Sequence, residues 1–335
     1  MLQKRKSIKR KKGGRHRKTA KSNKMNCSPM VEGKTLHKET CFTPEALKKI
    51  RDSYNASHRE DPIHHSNPDS IWHELKTRLT GKCEKEDCWL KEIKDTQIQR
   101  DIDTYVFAPD RPPEWTNSPN EWLSNIDILD VLRQYEKTYP HFKFIGPTPI
   151  DFDTRPPNDG GKCVWEELCH LDLGKNIRNG IRDIGIIFNL DTHDKGGSHW
   201  VSLFVHMDIS LGGKPFAFFF DSAGDKAPAE VMNLVKRIQE QWLKCNENSE
   251  NGKSEKRNPM VFIQNAPHTH QYSNTECGMY SLLFIVTMLT GKQKGGSKEN
   301  RILSMNRRIS LFLKGKITDK EVEKYRQIYF NAPDN

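Results

Sequence analysis

"HQYSNTECGMYSLLFIVTML", residues 270–289, changes character at one cysteine: a polar segment ends at Cys277 and an almost unbroken apolar run follows. The thirteen residues from Cys277 to Leu289, polar only at Ser281 and Thr287, are too many for an ordinary strand and read as a buried helix. Asn274 is placed to cap that helix, which would put Cys277 at its third position, among backbone N–H groups with no intrahelical partner. The positive end of a helix dipole favours a thiolate there. A lone cysteine is ordinarily a small buried hydrophobe, so a nucleophilic Cys277 needs a base and an oxyanion donor elsewhere in the chain.

The base candidate is His199, which opens "HWVSLFVHMDI" (199–209), and its orienter is Asp221, which closes "PFAFFFDS" (215–222). The two segments read as strands of one antiparallel hairpin turning at Gly212/Gly213, so the start of the first lies near the end of the second. A turn centred on Gly212 offsets the pair by a few residues, and a centre nearer Ser210 improves the match. A carboxylate on one imidazole nitrogen would leave the other facing the thiol. His193, His206, His268 and His270 compete; His206 alternates onto another face, and the other three fall in loops where exposed histidines are ordinary. Gln271, six residues before Cys277, could donate its amide N–H to an oxyanion together with the Cys277 backbone.

The surrounding pattern is α/β after a Pro-rich break at "FAPDRPPEW" (107–115). "EWLSNIDILDVLRQYEKTY" (121–139) and "APAEVMNLVKRIQEQWL" (227–243) are amphipathic helices, while "DIGIIFNLD" (183–191) and "MVFIQN" (260–265) read as further strands. "IGPTPIDFD" and "TRPPNDGG" predict an irregular surface loop, and "KCNENSENGKSEKRN" a hydrophilic surface insertion. Two helices close the chain, the second opened by a Thr318-x-x-Glu321 capping box. Before the break, "TPEALKKIRDSYN" and "NPDSIWHELKTRLTG" predict an accessory helical region over 36–115.

The formal charge is +10 over 335 residues, but residues 1–31 hold twelve Lys/Arg and no Asp/Glu. Subtracting those twelve charges leaves −2 for the remainder, so the basicity belongs to an arm, taken as 1–35 and too polar to fold alone. Such an arm suits non-specific contact with nucleic acid or an import role. No apolar run reaches membrane-spanning length and no secretory h-region follows the N-terminal charges, so a soluble chain in a cytosolic or nuclear redox setting is expected, without membrane contact. Eight cysteines (27, 41, 83, 88, 163, 169, 245 and 277) are too few for a disulfide scaffold and are expected to be mostly free thiols. A zinc site from the pairs 83/88 and 163/169 stays open as the lesser reading.

The series "EWLSNIDI", "HWVSLFV", "FFFDSAG" and "QYSNTECGMY", over about residues 120–290, resembles the ubiquitin-like-protein proteases of the SUMO-protease and adenovirus-endopeptidase (adenain) type. The order His199, Asp221, Gln271, Cys277 separates it from papain-like enzymes, whose cysteine precedes the histidine. The resemblance implies an α+β cysteine-protease fold, with a central mixed sheet and the nucleophile at the N-terminus of a buried helix, in a catalytic domain over 116–335. It implies Cys277 as nucleophile, His199 as general base and then acid, Asp221 as orienter and Gln271 as oxyanion donor. Trp200 would pack along the cleft, and Gly278 would keep bulk from obstructing the substrate. No cofactor or metal is implied.

Thr-Glu-Cys-Gly stands where SUMO proteases commonly carry an aromatic-Asp-Cys-Gly stretch. With the accessory region and the polar insertion, this makes the chain look more like maturation proteases of large DNA viruses, which process capsid or core precursors after Gly-Gly-X-like sites. The expected partners are polypeptides and the expected location the virion, or else host cytoplasm or nucleus. A deconjugating protease for SUMO- or ubiquitin-like modifiers is the alternative, and an inactive protease-like nucleic-acid-binding scaffold the alternative of another class.

Overall fold

The computed structural model describes residues 25–157, 160–210, 213–245, 258–292 and 302–332. Gly212 of the expected turn, residues 1–24 of the basic arm and most of the polar insertion lie outside the described residues.

A five-stranded mixed sheet runs in sequence order: β1 (Phe142–Pro149), β2 (Asp183–Asn189), β3 (Trp200–His206), β4 (Phe216–Phe220) and β5 (Val261–Gln264). The outer pairs β1/β2 and β4/β5 are parallel, and β2/β3 and β3/β4 are antiparallel. Alternate side chains feed two cores. Phe204, Phe218 and Phe220 point to one face, while Val201, Leu203, Val205 and Phe219 point to the other. Both faces are buried, which is why these strands read as continuous apolar runs.

On the first face lie α4 (Asn125–Thr138), α8 (Cys277–Thr290), α9 (Met305–Lys314) and α10 (Asp319–Tyr329). On the second lie α7 (Ala229–Lys244), which leads from β4 to β5, and the short α5 (Glu166–Cys169) and α6 (Leu173–Arg178) between β1 and β2. Every residue of α8 is buried, so its all-round hydrophobicity is that of a central core helix. The capping box expected at α10 is present, with the Thr318 hydroxyl accepting from Glu321 N.

The edge strand β1 overturns a sequence expectation, since "IGPTPIDFD" predicts an irregular surface loop and its Gly146-Pro147 lies within the strand. The ladder to β2 breaks register between Ile145 and Thr148. Proline is tolerated in that break because it has no N–H to leave unpaired. Gly146 adopts φ +109°, and a Cβ there would lie 2.8 Å from the Ile187 carbonyl oxygen.

The N-terminal helices α1 (Pro44–Ser57), α2 (Pro68–Leu79) and α3 (Thr96–Val106) surround their own core of Phe42, Leu47, Trp72 and Trp89. Thr43 caps α1 by accepting from Ala46 N at 3.2 Å. Packing begins earlier than the expected boundary of the arm: Met25 and Val31 are buried in this core. The apolar side chains of "MNCSPMV" give 25–31 surface to bury that the preceding basic residues lack.

The cysteines also depart from expectation. Three disulfides join Cys27 to Cys41, Cys83 to Cys88 and Cys163 to Cys169. Short turns bring the last two pairs together; Cys88 lies in the 3-10 segment Asp87–Glu92 that folds back after α2.

Candidate active site

Cys277 is the first residue of α8, not the third, because Glu276 occupies the cap position expected for Asn274. The first bond along the helix runs from Tyr280 N to Glu276 O at 2.9 Å. The N–H groups of Cys277, Gly278 and Met279 therefore have no partner within the helix, and the thiol stands at its positive end.

His199 immediately precedes β3, with its carbonyl accepting from Leu190 N at 2.9 Å. Asp221 immediately follows β4. The hairpin pairs Ser202 with Phe220, so one further step along the register sets Asp221 opposite Val201, two residues from His199. The side chains close that offset, with His199 Nε2 2.7 Å from Asp221 Oδ1. Use of Nε2 leaves Nδ1 as the nitrogen for the thiol.

The carboxylate is fixed before any substrate arrives. Ala223 N donates to the same Asp221 oxygen at 2.8 Å. Asn265, one residue past β5, accepts from Asp221 N at 2.9 Å and donates to Asp221 O at 2.7 Å. The sequence alone does not single out Asn265; its only signal is a polar residue ending the strand beside the one that leads to Asp221.

Burial alone would lower the His199 pKa. The hydrogen bond to Asp221, the Cys277 thiol and the negative charges of both outweigh it and push the value up to about 10. His199 is thus held as an imidazolium, the partner a thiolate requires.

The competing histidines are held elsewhere. His206 Nδ1 meets Asp183 at 2.6 Å, and His268 Nε2 meets the Gly315 carbonyl at 2.7 Å. His270, expected to be an exposed loop residue, is 2% exposed. Its Nε2 meets the Phe312 carbonyl at 2.8 Å, and burial lowers its pKa. His193 pairs with Asp151 at 2.6 Å, on the wall of the cleft.

Gln271 is stitched to the residue after Asp221. Its backbone N–H donates to Ser222 O at 2.9 Å, and its side-chain Oε1 accepts from the Ser222 hydroxyl at 2.7 Å. Its Nε2 donates to Ser273 O at 2.8 Å. The amide has a second N–H with which to serve an oxyanion.

A cleft of about 580 Å³ opens beside Trp200, walled by Trp122, Leu123, Trp165, His193 and Gly197. The Trp200 indole N–H donates to Leu123 O at 3.1 Å, fixing one wall. Gly278 is itself buried, and a Cβ there would lie 3.1 Å from Leu123 Cβ and 3.2 Å from Trp200 Cδ1. Its lack of a side chain lets the cleft wall pack closely onto the helix that begins at Cys277.

Among the described residues, one group has donor atoms close enough to hold a metal: Cys163, Cys169 and His170, all within 4.8 Å of one another. The disulfide between its two cysteines consumes those donors.

Residues 184–331 match the model of the Ulp1 protease family, C-terminal catalytic domain. The chain is 27% identical over 289 residues to a protein of Acanthamoeba polyphaga mimivirus named as a thiol protease, covering 79% of this chain and 85% of that one. It is 25% identical over 269 residues to the SUMO-1 cysteine protease of African swine fever virus, covering 76% of this chain and 86% of the relative. The crystal structure of the swine fever virus protease superposes with a TM-score of 0.59 at 21% identity, over 92% of this chain and 96% of the other. That coverage is too broad to be confined to residues 184–331.

Proposed function

From the Ulp1-family cysteine-protease domain that this chain carries, we propose that it is a maturation endopeptidase, which cuts viral structural precursors after small residues in Gly-Gly-X-like sites. The His199 to Asp221 contact of 2.7 Å, beside a cysteine at a helix N-terminus, carries this reading.

His199 takes the Cys277 proton, and the thiolate attacks the scissile carbonyl. The oxyanion is met by the Cys277 N–H and the Gln271 amide. His199 then returns its proton to the leaving amine, and a water deprotonated by His199 releases the acyl group. The viral relatives favour a location in the virion or the infected cell, and the composition of residues 1–24 supports non-specific contact with nucleic acid.

A second reading, removal of SUMO-like modifiers, is favoured by the name of the swine fever virus relative. The two separate in one experiment: wild-type protein and Cys277→Ala are given a Gly-Gly-X peptide library and folded SUMO- or ubiquitin-like fusions, with products mapped by mass spectrometry. Peptide cleavage that spares the fusions and disappears in the variant supports a maturation endopeptidase. Cleavage confined to the fusions replaces it with a deconjugating enzyme, and cleavage of neither leaves the inactive-scaffold alternative.

A further inference from the structure

Glu276 is the residue before the nucleophile, and it caps α8 without using its side chain. An acidic side chain at a cap ordinarily accepts from the second or third helical N–H. Here both carboxylate oxygens are drawn the other way, to Arg326 Nε at 3.1 Å and Nη2 at 2.9 Å. The pair is almost sealed from solvent, with side-chain exposures of 0% for Glu276 and 5% for Arg326.

The rest of the guanidinium is also committed. Nη1 donates to Glu121 O at 2.8 Å, Nη2 approaches Asn120 O and Thr275 O at 3.4 Å each, and the group stacks 4.3 Å over the Trp115 ring. Residues 120–121 lead directly into Trp122 and Leu123 of the cleft wall. One side chain on α10 therefore holds the turn bearing the cysteine, the approach to the cleft wall and the Pro-rich break.

We propose that Arg326 is a positioning residue of the active site, which sequesters the Glu276 carboxylate so that the N-terminus of α8 stays open to the Cys277 thiolate and the oxyanion. This rests on the reading of Cys277 as the nucleophile. A carboxylate left to cap α8 would occupy the N–H groups that the reaction uses and set a like charge beside the thiolate. A planar fork with five N–H groups can serve the carboxylate and three carbonyls at once, which an ammonium cannot.

The other charged groups near Glu276 do not replace Arg326. Glu323 on α10 is of the wrong sign. On α8, the Tyr280 hydroxyl goes to Asp319 at 3.1 Å. Across the site, His199 is engaged by Asp221.

The test follows Cys277 alkylation by iodoacetamide against pH in the full-length protein, with the modified residue mapped by mass spectrometry and kcat and KM measured on a cleaved peptide. Arg326→Met is expected to raise the alkylation midpoint by roughly one pH unit and to lower kcat far more than it changes KM. Adding Glu276→Gln to that variant is expected to bring the midpoint back, and Arg326→Lys to restore it in part. Glu276→Gln alone keeps the guanidinium and should move the midpoint down, which guards against a misfolded Arg326→Met. Midpoints unmoved in Arg326→Met and in Glu276→Gln, or a loss in Arg326→Met that adding Glu276→Gln does not relieve, overturn the positioning role. Alkylation needs no substrate, so shifts of the expected sign in a protein that cleaves neither peptides nor fusions would uphold this role while removing the proposed function.

Discussion

The pH behaviour of the site is set at His199. Its folded pKa, about 10, lies above the ordinary histidine value of about 6.5. The sign of the linkage follows: its contribution to stability is fully present below about pH 6.5 and is lost as pH rises through about 10. Proton donation to the leaving amine is lost over that same upper range. In Asp221→Asn, which removes a charge and weakens the bond that raises His199, the basic limb of kcat/KM should move to lower pH and kcat should fall roughly a hundredfold or more. A basic limb left in place would remove Asp221 from the role of orienter. Gln271→Ala should lower kcat by about 10²- to 10³-fold with little change in KM; equal kcat in the variant and wild type would show that the Cys277 N–H serves the oxyanion without it. The meeting of His199 with Asp221 was legible because each adjoins the end of a strand in one hairpin, and Cys277 because the sequence turns from polar to apolar at it. Glu276, Arg326 and Asn265 were not, since their roles consist of contacts between segments far apart in sequence.

At the scale of elements, β2 to β5 and α8 were legible because a strand or helix buried on all sides leaves an apolar run in the sequence. The edge strand β1 was not, because Gly146 and Pro147 are loop residues by local preference and only the break in pairing with β2 accommodates them. The α8 cap was misplaced for a similar reason: Asn274 has the better side chain for the role, but burial of Glu276 against Arg326 decides where the helix begins. Gly146→Ala should cost about 2 kcal/mol, because its positive φ strains any larger residue and the new Cβ meets the Ile187 carbonyl oxygen. Chemical denaturation would show it; unchanged stability would mean that β1 shifts its break to accept a side chain.

Across the whole molecule, the first described residues meet the last. Asn26 N donates to Asn331 Oδ1 at 2.7 Å, Asn331 Nδ2 returns a bond to Asn26 O at 3.0 Å, and it also reaches Ala108 O at 2.9 Å. The Asn26 amide adds bonds to the Gln327 and Phe330 carbonyls at 2.6 and 2.8 Å. These contacts clasp the N-terminal helical unit onto the end of α10, the helix that carries Arg326. Asn331 is 4% exposed, so removing its side chain leaves its partners at Asn26 and Ala108, in the N-terminal unit, unsatisfied. Asn331→Ala should cost about 2 to 3 kcal/mol, read as a lowered Tm, with faster hydrogen exchange and proteolysis concentrated in residues 25–110. Because Arg326 keeps its own partners at Thr275 and Glu276 before α8 and at Asn120 and Glu121, the pH profile of Cys277 alkylation should stay in place. A profile that moved with the loosened N-terminal unit would instead make that unit part of the catalytic machinery, coupled to the nucleophile through α10.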